Sequence, residues 1–232
     1  VLLFPLQIFR SNPMIQLKNI TKSYPLSNGQ RHYVFKDLNF TFPDECSIGL
    51  MGRNGAGKST LMRILGGMDM PDKGKVITDK KISFPIGLGA FFQGTLTARD
   101  NIKFLTRVYG YRGEKLQETI AFVEEFAEIG KFFDEPINVL SSGMRARVSF
   151  GMSMAFDFDY YLIDEAGAVG DPAFKQKSAK IYQEKLSKSK VILVSHSVAE
   201  IRKWCDKIIH LENGIVKVYD DVEEGIRAYQ GK

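Results

Sequence analysis

One glycine-rich stretch constrains the fold of this chain more than any other feature: Gly-Arg-Asn-Gly-Ala-Gly-Lys-Ser-Thr at residues 52–60. An apolar run at residues 47–51 precedes it, and apolar residues continue at helical spacing through residues 61–65. A strand, a glycine-rich turn and a helix form the context that a phosphate-binding loop needs. An ordinary glycine turn before a core helix is the alternative. We predict a nucleoside triphosphate site.

The residue types in this stretch suit phosphate chemistry. Glycines allow successive backbone N–H groups to form a concave nest, and the following helix adds the positive end of its dipole. Lys58 is predicted to reach the β- and γ-phosphates, and the Ser59 hydroxyl is predicted to ligate Mg²⁺. The predicted nucleotide-binding residues of this loop are Gly52, Arg53, Asn54, Gly55, Ala56, Gly57, Lys58, Ser59 and Thr60.

Composition excludes several classes of protein. The net charge is +5 over 232 residues, but basic and acidic residues are interspersed, so we predict no nucleic-acid partner. No apolar run approaches the roughly 18 residues of a spanning helix. The two cysteines lack metal-ligand spacing, which indicates reduced cytosolic thiols. Residues 1–13 are interpreted as a leader or upstream extension, with a membrane-touching segment as the alternative, and the protein is expected in the cytoplasm.

Periodicity predicts an α/β fold. Strand patterns at residues 14–20, 32–35 and 38–42 predict antiparallel β structure before the phosphate loop. A helical lobe, at about residues 94–156, is predicted between strands of a largely parallel central sheet. Buried strands are predicted at residues 159–165 and 191–194, a helix at 172–186, and a hairpin at 208–219. We expect residues 14–232 to form a single domain with this lobe inserted.

Three polar residues lie at or just after the carboxyl ends of buried strands, where a sheet of this kind binds ligands. Asp164 is predicted to hold Mg²⁺, and Glu165 to activate a water for attack on the γ-phosphate. The alternative is that both carboxylates only cap a loop. His196 is predicted to contact the γ-phosphate, against the alternative of a structural histidine.

A second candidate anion site lies at residues 141–143, where Ser141, Ser142 and Gly143 begin a helix. This helix lies far along the chain from the phosphate loop. We therefore predict that a second copy of the chain supplies it in trans. A simple helix cap is the alternative.

These motifs together resemble an ABC-transporter nucleotide-binding subunit. Residues 52–60 resemble its Walker A loop, 140–144 its signature motif, 163–165 its Walker B strand, 168–171 its D-loop and 195–196 its switch histidine. The resemblance implies an ABC-type P-loop NTPase cassette that forms a head-to-tail homodimer around two ATP molecules. It further implies an adenine-stacking role for Tyr24, with Tyr33 as the competitor, a Mg²⁺ contact for Gln93, and a cross-dimer contact for Asp171.

The sequence also departs from the family pattern. Ser142 stands where most of the superfamily has Gly, and Met144 stands where Gln is usual. The D-loop reads Ala-Val-Gly-Asp and keeps only Asp171 of the usual motif, while Gln93 lies closer to Thr97 than the family spacing implies.

The closer resemblance is to the capsular-polysaccharide exporter ATPases of Gram-negative bacteria, through residues 92–97, 141–144 and 158–161. It implies ATP hydrolysis at the cytoplasmic face of the inner membrane, an integral-membrane permease partner, and periplasmic and outer-membrane capsule-export proteins. Export of O-antigen or teichoic acid is the alternative within the transporter class. A soluble, non-transport ABC ATPase and a P-loop kinase are the alternatives outside it.

Overall fold

The computed structural model describes residues 14–86, 92–164, 172–212 and 214–231. Of these, residues 86, 92–157 and 172–188 form one compact unit, called here the helical unit. Residues 14–85, 158–164 and 189–231 without 213 form the other, called here the sheet unit. The predicted leader, residues 1–13, lies outside the described residues.

The sheet unit begins with antiparallel β structure. Its first sheet has the order β2-β1-β4, in which β1 is Gln16–Pro25, β2 is Arg31–Thr41 and β4 is Lys73–Ile77. The strands predicted at 32–35 and 38–42 are one continuous strand, which corrects that prediction. Pairing continues because Asp37 and Asn19 adopt left-handed backbone conformations, φ 54° and 53°, at irregularities of the ladder.

The second sheet of this unit has the order β5-β6-β3-β7-β8. Four strands are parallel, and β8 pairs antiparallel to β7 as the predicted hairpin. Their bounds are β3 Ile48–Met51, β5 Tyr160–Asp164, β6 Lys190–Val194, β7 Lys207–Glu212 and β8 Ile215–Tyr219. Helices α1 (Lys58–Leu65), α6 (Val198–Trp204) and α7 (Val222–Gln230) complete the unit. No helix was predicted at α7.

Both sheets contribute to one apolar core. Leu17 and Phe35 from the antiparallel sheet join Ile48, Leu61 and Leu162 from the central sheet and α1, all at most 1% exposed. Strands β3 and β5 consist of buried residues almost throughout, which explains why they read as continuous apolar runs rather than alternating patterns. This core holds fixed the strand ends that carry the polar residues discussed below.

The helical unit contains α2 (Ala98–Val108), α3 (Gly113–Ala127), α4 (Ser142–Met154) and α5 (Pro172–Leu186), with 3₁₀ turns at Gly130–Asp134 and Ile137–Val139. Phe126 of α3 packs its ring against Phe150 of α4 and Phe174 of α5, with centroids 5.7 and 5.2 Å apart. Gly151 allows α4 to approach closely, since a Cβ there would lie 2.9 Å from Phe126 Cδ1. Arg99 bonds both Asp134 and Glu124 and so joins α2 to α3 and the first 3₁₀ turn.

Candidate functional site

Residues 52–57 form a tight loop between β3 and α1, and residues 58–60 form the first turn of α1. Gly55 and Gly57 have φ of 83° and 99°, conformations that residues with a Cβ adopt at a cost. At Gly57 a Cβ would also lie 2.5 Å from Val34 Cγ1 and 2.8 Å from Phe35 Cζ. At Gly52 a Cβ would lie 2.3 Å from the Leu211 carbonyl oxygen of β7. The loop therefore needs glycine at residue 55 for its backbone conformation, at residue 52 for space, and at residue 57 for both reasons.

The loop places its polar groups at the start of α1. Lys58 Nζ donates to the carbonyl oxygens of Gly52 and Arg53, at 2.7 and 3.1 Å. Arg53, Asn54, Gly55 and Ser59 are exposed or nearly so, whereas Thr60 is buried and accepts a bond from Arg63 at 3.5 Å. Ala56 N donates to the Arg53 carbonyl, which closes the turn at 3.1 Å.

Two further strand ends meet this loop at the same edge of the central sheet. In the parallel register, Asp164 of β5 lies beside Val194 of β6, and Leu193 lies beside Gly49 of β3. Asp164 is half-buried at the end of β5, and His196 is exposed two residues after the end of β6. The carboxyl edge of the sheet thus brings together the phosphate loop, Asp164 and His196.

Local hydrogen bonds fix the segment around His196. Ser195 Oγ donates to Glu200 at 2.6 Å and accepts from Ser197 N at 3.0 Å. Ser197 in turn caps α6 by accepting from Glu200 N at 3.4 Å. His196 is therefore held between two serines that are tied to the same glutamate.

Tyr24 and Tyr33 point to opposite faces of the antiparallel sheet. Tyr24 is paired with His32, and its hydroxyl donates to Asp69 at 2.7 Å and accepts from Arg63 of α1 at 3.2 Å. Tyr33 is paired with Ser23 and is 45% exposed on the other face. Of the two tyrosines, Tyr24 is the one bonded to the helix that follows the phosphate loop.

The helical unit carries two of the predicted site segments. Ser141 caps α4 by accepting from Met144 N at 3.2 Å, and Ser142 and Gly143 are exposed on its first turn. Gln93 precedes α2, where its amide donates to Thr95 Oγ1 at 3.4 Å. Asn101 was not predicted, yet this buried side chain bonds Gln93 N and three nearby carbonyls and so fixes the loop.

Two predicted site residues, Glu165 and Asp171, lie outside the described residues. The motifs of the sequence did not single out Tyr229 and Gln230 of α7. They line a cavity of about 130 Å³ together with Gly52, Lys58 and His196. The Asp221-x-x-Glu224 pattern could have predicted the start of α7, because Asp221 caps this helix by accepting a hydrogen bond from Glu224 N at 2.7 Å.

Comparison with known proteins matches residues 35–168 to the family model described as ABC transporter. The chain is 53% identical to the polysialic acid transport ATP-binding protein KpsT of Escherichia coli, over 94% of this chain and 96% of that protein. It is 39% identical to the capsule polysaccharide export ATP-binding protein CtrD of Neisseria meningitidis serogroup B, over 93% and 98%.

A solved structure confirms the fold class. It is a dimeric ATP-binding cassette in a post-hydrolysis state, bound to ADP and Pi, with a TM-score of 0.66 and 25% identity over 89% of this chain and 98% of that one. The α/β P-loop NTPase fold and the resemblance predicted from the motifs are both confirmed. With its phosphate loop at the sheet edge and this full-length similarity, the chain is an ATP-binding cassette and belongs to the ABC transporter family.

Proposed function

We propose that this chain is the ATP-hydrolysing subunit of an exporter that drives capsular polysaccharide, as a lipid-linked glycan, across the inner membrane. The ATPase activity is proposed because the phosphate loop, Asp164 and His196 lie together at one edge of the central sheet. The cargo is proposed from the relatives, whose names specify polysialic acid transport and capsule polysaccharide export.

Lys58 is proposed as the residue that neutralises the β- and γ-phosphates. In the structure its ammonium group bonds the neutral carbonyls of Gly52 and Arg53. A phosphate oxygen carries a full negative charge and a carbonyl oxygen only a partial one, so the Coulomb attraction of a bound triphosphate competes well for this ammonium. The N–H groups of the glycine-rich loop and the N-terminus of α1 supply the remaining positive potential.

Ser59 and Asp164 suit a Mg²⁺ ion, because both present hard oxygen donors at the loop and at the end of β5. Within the described ranges, no cluster of three or more His, Cys, Asp or Glu forms a metal cage. The two oxygen donors of Ser59 and Asp164 fit an ion that is held chiefly by nucleotide phosphates and water, as Mg²⁺ usually is. When bound there, Mg²⁺ would neutralise part of the negative charge of the phosphates. Gln93 is proposed as a further, outer contact to it.

Glu165 and His196 are proposed to act on the attacking water and the γ-phosphate. Glu165 directly follows Asp164 in the sequence and is assigned the role of general base. His196 is assigned a hydrogen bond to the γ-phosphate. We further propose Tyr24 as the residue that stacks on adenine.

The working form is proposed to be a homodimer. Ser141, Ser142 and Gly143 of one copy would bind the nucleotide on the phosphate loop of the other, with Asp171 as a cross-dimer contact. The exposed, capped N-terminus of α4 supports this role, since it leaves backbone N–H groups accessible to an anion. ABC cassettes act as dimers with a membrane permease, and periplasmic and outer-membrane capsule-export proteins are proposed as further partners.

The membrane permease is proposed to dock on the helical unit. Phe104 and Val108, one turn apart on α2, are 53% and 44% exposed, and Val139 of the second 3₁₀ turn is 60% exposed. Phe104 and Val108, exposed one turn apart on the same helix, support an interaction surface on α2. Among the described residues no helix is long and apolar enough to cross a bilayer. The permease is proposed as a separate integral-membrane subunit, with this chain at the cytoplasmic face.

The ATPase mechanism is tested with Glu165→Gln. The variant should retain ATP binding and lose turnover by about 10²- to 10⁴-fold, because only water activation is removed. It should also accumulate as an ATP-dependent dimer in size-exclusion chromatography with light scattering. A variant that remains monomeric with ATP would contradict the dimeric mechanism.

The cargo is tested in the native host, with the chromosomal copy replaced by Lys58→Ala. The expected result is loss of surface capsule with accumulation of capsule polymer inside the cell, while lipopolysaccharide is unchanged. Loss of O-antigen or another surface glycan with an intact capsule would identify the alternative transporter class. An unchanged surface with every glycan exported would exclude the transport function.

A further inference from the structure

The C-terminal helix α7 ends against the phosphate loop. Two cavities flank Gly52, and Tyr229 lines both. The first, of about 230 Å³, is bounded also by Arg53, His210 and Leu211. The second, of about 130 Å³, contains the polar groups of Lys58 and His196 and is closed on the α7 side by Tyr229 and Gln230.

The Tyr229 ring has a fixed position because the helix around it is anchored. The buried His210 of β7 bonds the Gly225 carbonyl through Nε2 at 2.9 Å, one turn before Tyr229. The Tyr229 ring packs edge-on against the His210 ring, with centroids 5.9 Å apart. Gly225 lets α7 lie directly on β7, since a Cβ there would lie 2.6 Å from Ile208 Cβ.

The other end of α7 is tied to the helix that follows His196. Arg202 of α6 donates two hydrogen bonds to Glu223 of α7, at 2.5 and 2.9 Å. Helix α6 begins directly after the serine-bracketed His196. Contacts therefore run from His196 through α6 to the start of α7, and from the end of α7 back to the cavity that holds His196.

We propose that Tyr229, with Gln230, positions His196 and the first glycine of the phosphate loop for ATP hydrolysis. This inference rests on the proposed ATPase function. Tyr229 acts through its neighbours: its ring prevents the His196 segment and Gly52 from relaxing into the two cavities. Gln230 completes the wall on the side of Lys58 and His196. The role makes α7 part of the catalytic site without giving it a contact to the reacting atoms.

The test compares Tyr229→Ala with Tyr219→Ala. Tyr219 contacts the same His210 ring, at 4.6 Å between centroids, but lines neither cavity, so it is the matched control. Tyr229→Ala should lower kcat for ATP about tenfold and leave the Kd for a fluorescent ATP analogue within about twofold, because the transition state depends on orientation more than binding does. Tyr219→Ala should change neither. Loss of kcat and affinity in equal proportion, or no loss of either, would overturn the proposal.

Histidine NMR gives a readout that general destabilisation does not mimic. The chain has three histidines, so the imidazole C2–H resonances are few and can be assigned by substitution. Tyr229→Ala should shift both the His196 and His210 resonances, and Tyr219→Ala only that of His210. An unchanged His196 resonance in Tyr229→Ala would refute the positioning role, whether or not the wild type hydrolyses ATP.

A second pair of variants changes the exposed ion pair between α6 and α7 and leaves the buried residues unchanged. Arg202→Glu should release the start of α7 and lower kcat, while the double variant Arg202→Glu with Glu223→Arg should restore it, since both side chains are about half exposed. Failure of the charge swap to restore kcat would show that α7 is not coupled to His196 through α6. Absence of hydrolysis by the wild type would instead disprove the proposed function itself.

Discussion

Two glycines of the phosphate loop should differ sharply in their tolerance of alanine. Gly55 and Gly57 both have left-handed φ, 83° and 99°. A Cβ at Gly55 would have no heavy atom within 4 Å, whereas one at Gly57 would lie 2.5 Å from Val34 Cγ1 and 2.8 Å from Phe35 Cζ. The pair therefore separates backbone strain from steric overlap within a single loop.

The expected free energies of unfolding follow from these distances. Gly55→Ala carries strain alone, about 1 to 2 kcal/mol. Gly57→Ala adds an overpacking cost of about 1 to 3 kcal/mol, because Phe35 is buried and cannot move aside freely. In a chain of this length each kcal/mol lowers the Tm by about 2 to 4 °C. Gly57→Ala should thus melt about 2 to 12 °C below Gly55→Ala.

The single tryptophan, Trp204 in α6, reports unfolding of the sheet unit by fluorescence. Gly214→Ala is the control for strain outside the loop, since φ is 75° there and no atom lies within 4 Å of the Cβ position. It should match Gly55→Ala. Equal melting of Gly55→Ala and Gly57→Ala would show that Val34 and Phe35 do not confine the loop and would refute the steric argument.

Three further predictions concern the nucleotide, acid stability and the docking surface. Lys58→Ala should lower the rate of phosphate release from ATP by about 10²- to 10³-fold, because one strong hydrogen-bond donor to the transition state is lost. A rate within tenfold of wild type would contradict the role assigned to Lys58. Hydrogen bonds from Ser23 and the nearby Arg31 guanidinium lower the pKa of Asp72. The ionised carboxylate therefore contributes fully to stability above the ordinary Asp pKa of about 3.9, and this contribution is lost as the pH falls through the lowered pKa. The free energy of unfolding, measured as a function of pH, should therefore be higher for wild type than for Asp72→Asn by a constant amount from about pH 5 to 7. Below about pH 4 the two curves should converge. If the curves stay parallel at every pH, the role assigned to Asp72 is wrong. Phe104→Asp should abolish co-purification with the membrane permease and leave basal ATP hydrolysis intact, whereas the control Val218→Asp, on the exposed side of β8, should retain the permease.

The phosphate loop could be predicted from sequence because its chemistry is local. Residues 52–60 contain the turn, the lysine and the helix start within one continuous segment, so a pattern of residue types suffices. The strand ends at Asp164 and Val194 could be predicted for a related reason. Buried parallel strands have apolar runs that end abruptly at polar residues, and the rules of parallel sheets bring these ends to one edge.

Other features depend on contacts that the sequence does not encode locally. The faces of Tyr24 and Tyr33 depend on irregularities near Asn19 and Asp37, and each such irregularity reverses the alternation of side chains. The role proposed for Tyr229 depends on a cavity shared with Gly52, far away along the chain. Neither periodicity nor motif spacing contains that information.

The strand order of the central sheet has a consequence for biosynthesis. β3, which leads into the phosphate loop, lies between β6 and β7, and about 140 residues separate its end at Met51 from the start of β6 at Lys190. A ribosome adds about 5 to 20 residues per second, so β3 would wait roughly 7 to 30 seconds for β6 to emerge and slightly longer for β7. During that interval the four residues of β3, which are buried in the finished fold, lack their sheet partners. Nucleotide binding should therefore arise only late in synthesis, and a nascent chain stalled before β6 should fail to bind ATP even though its phosphate loop is complete.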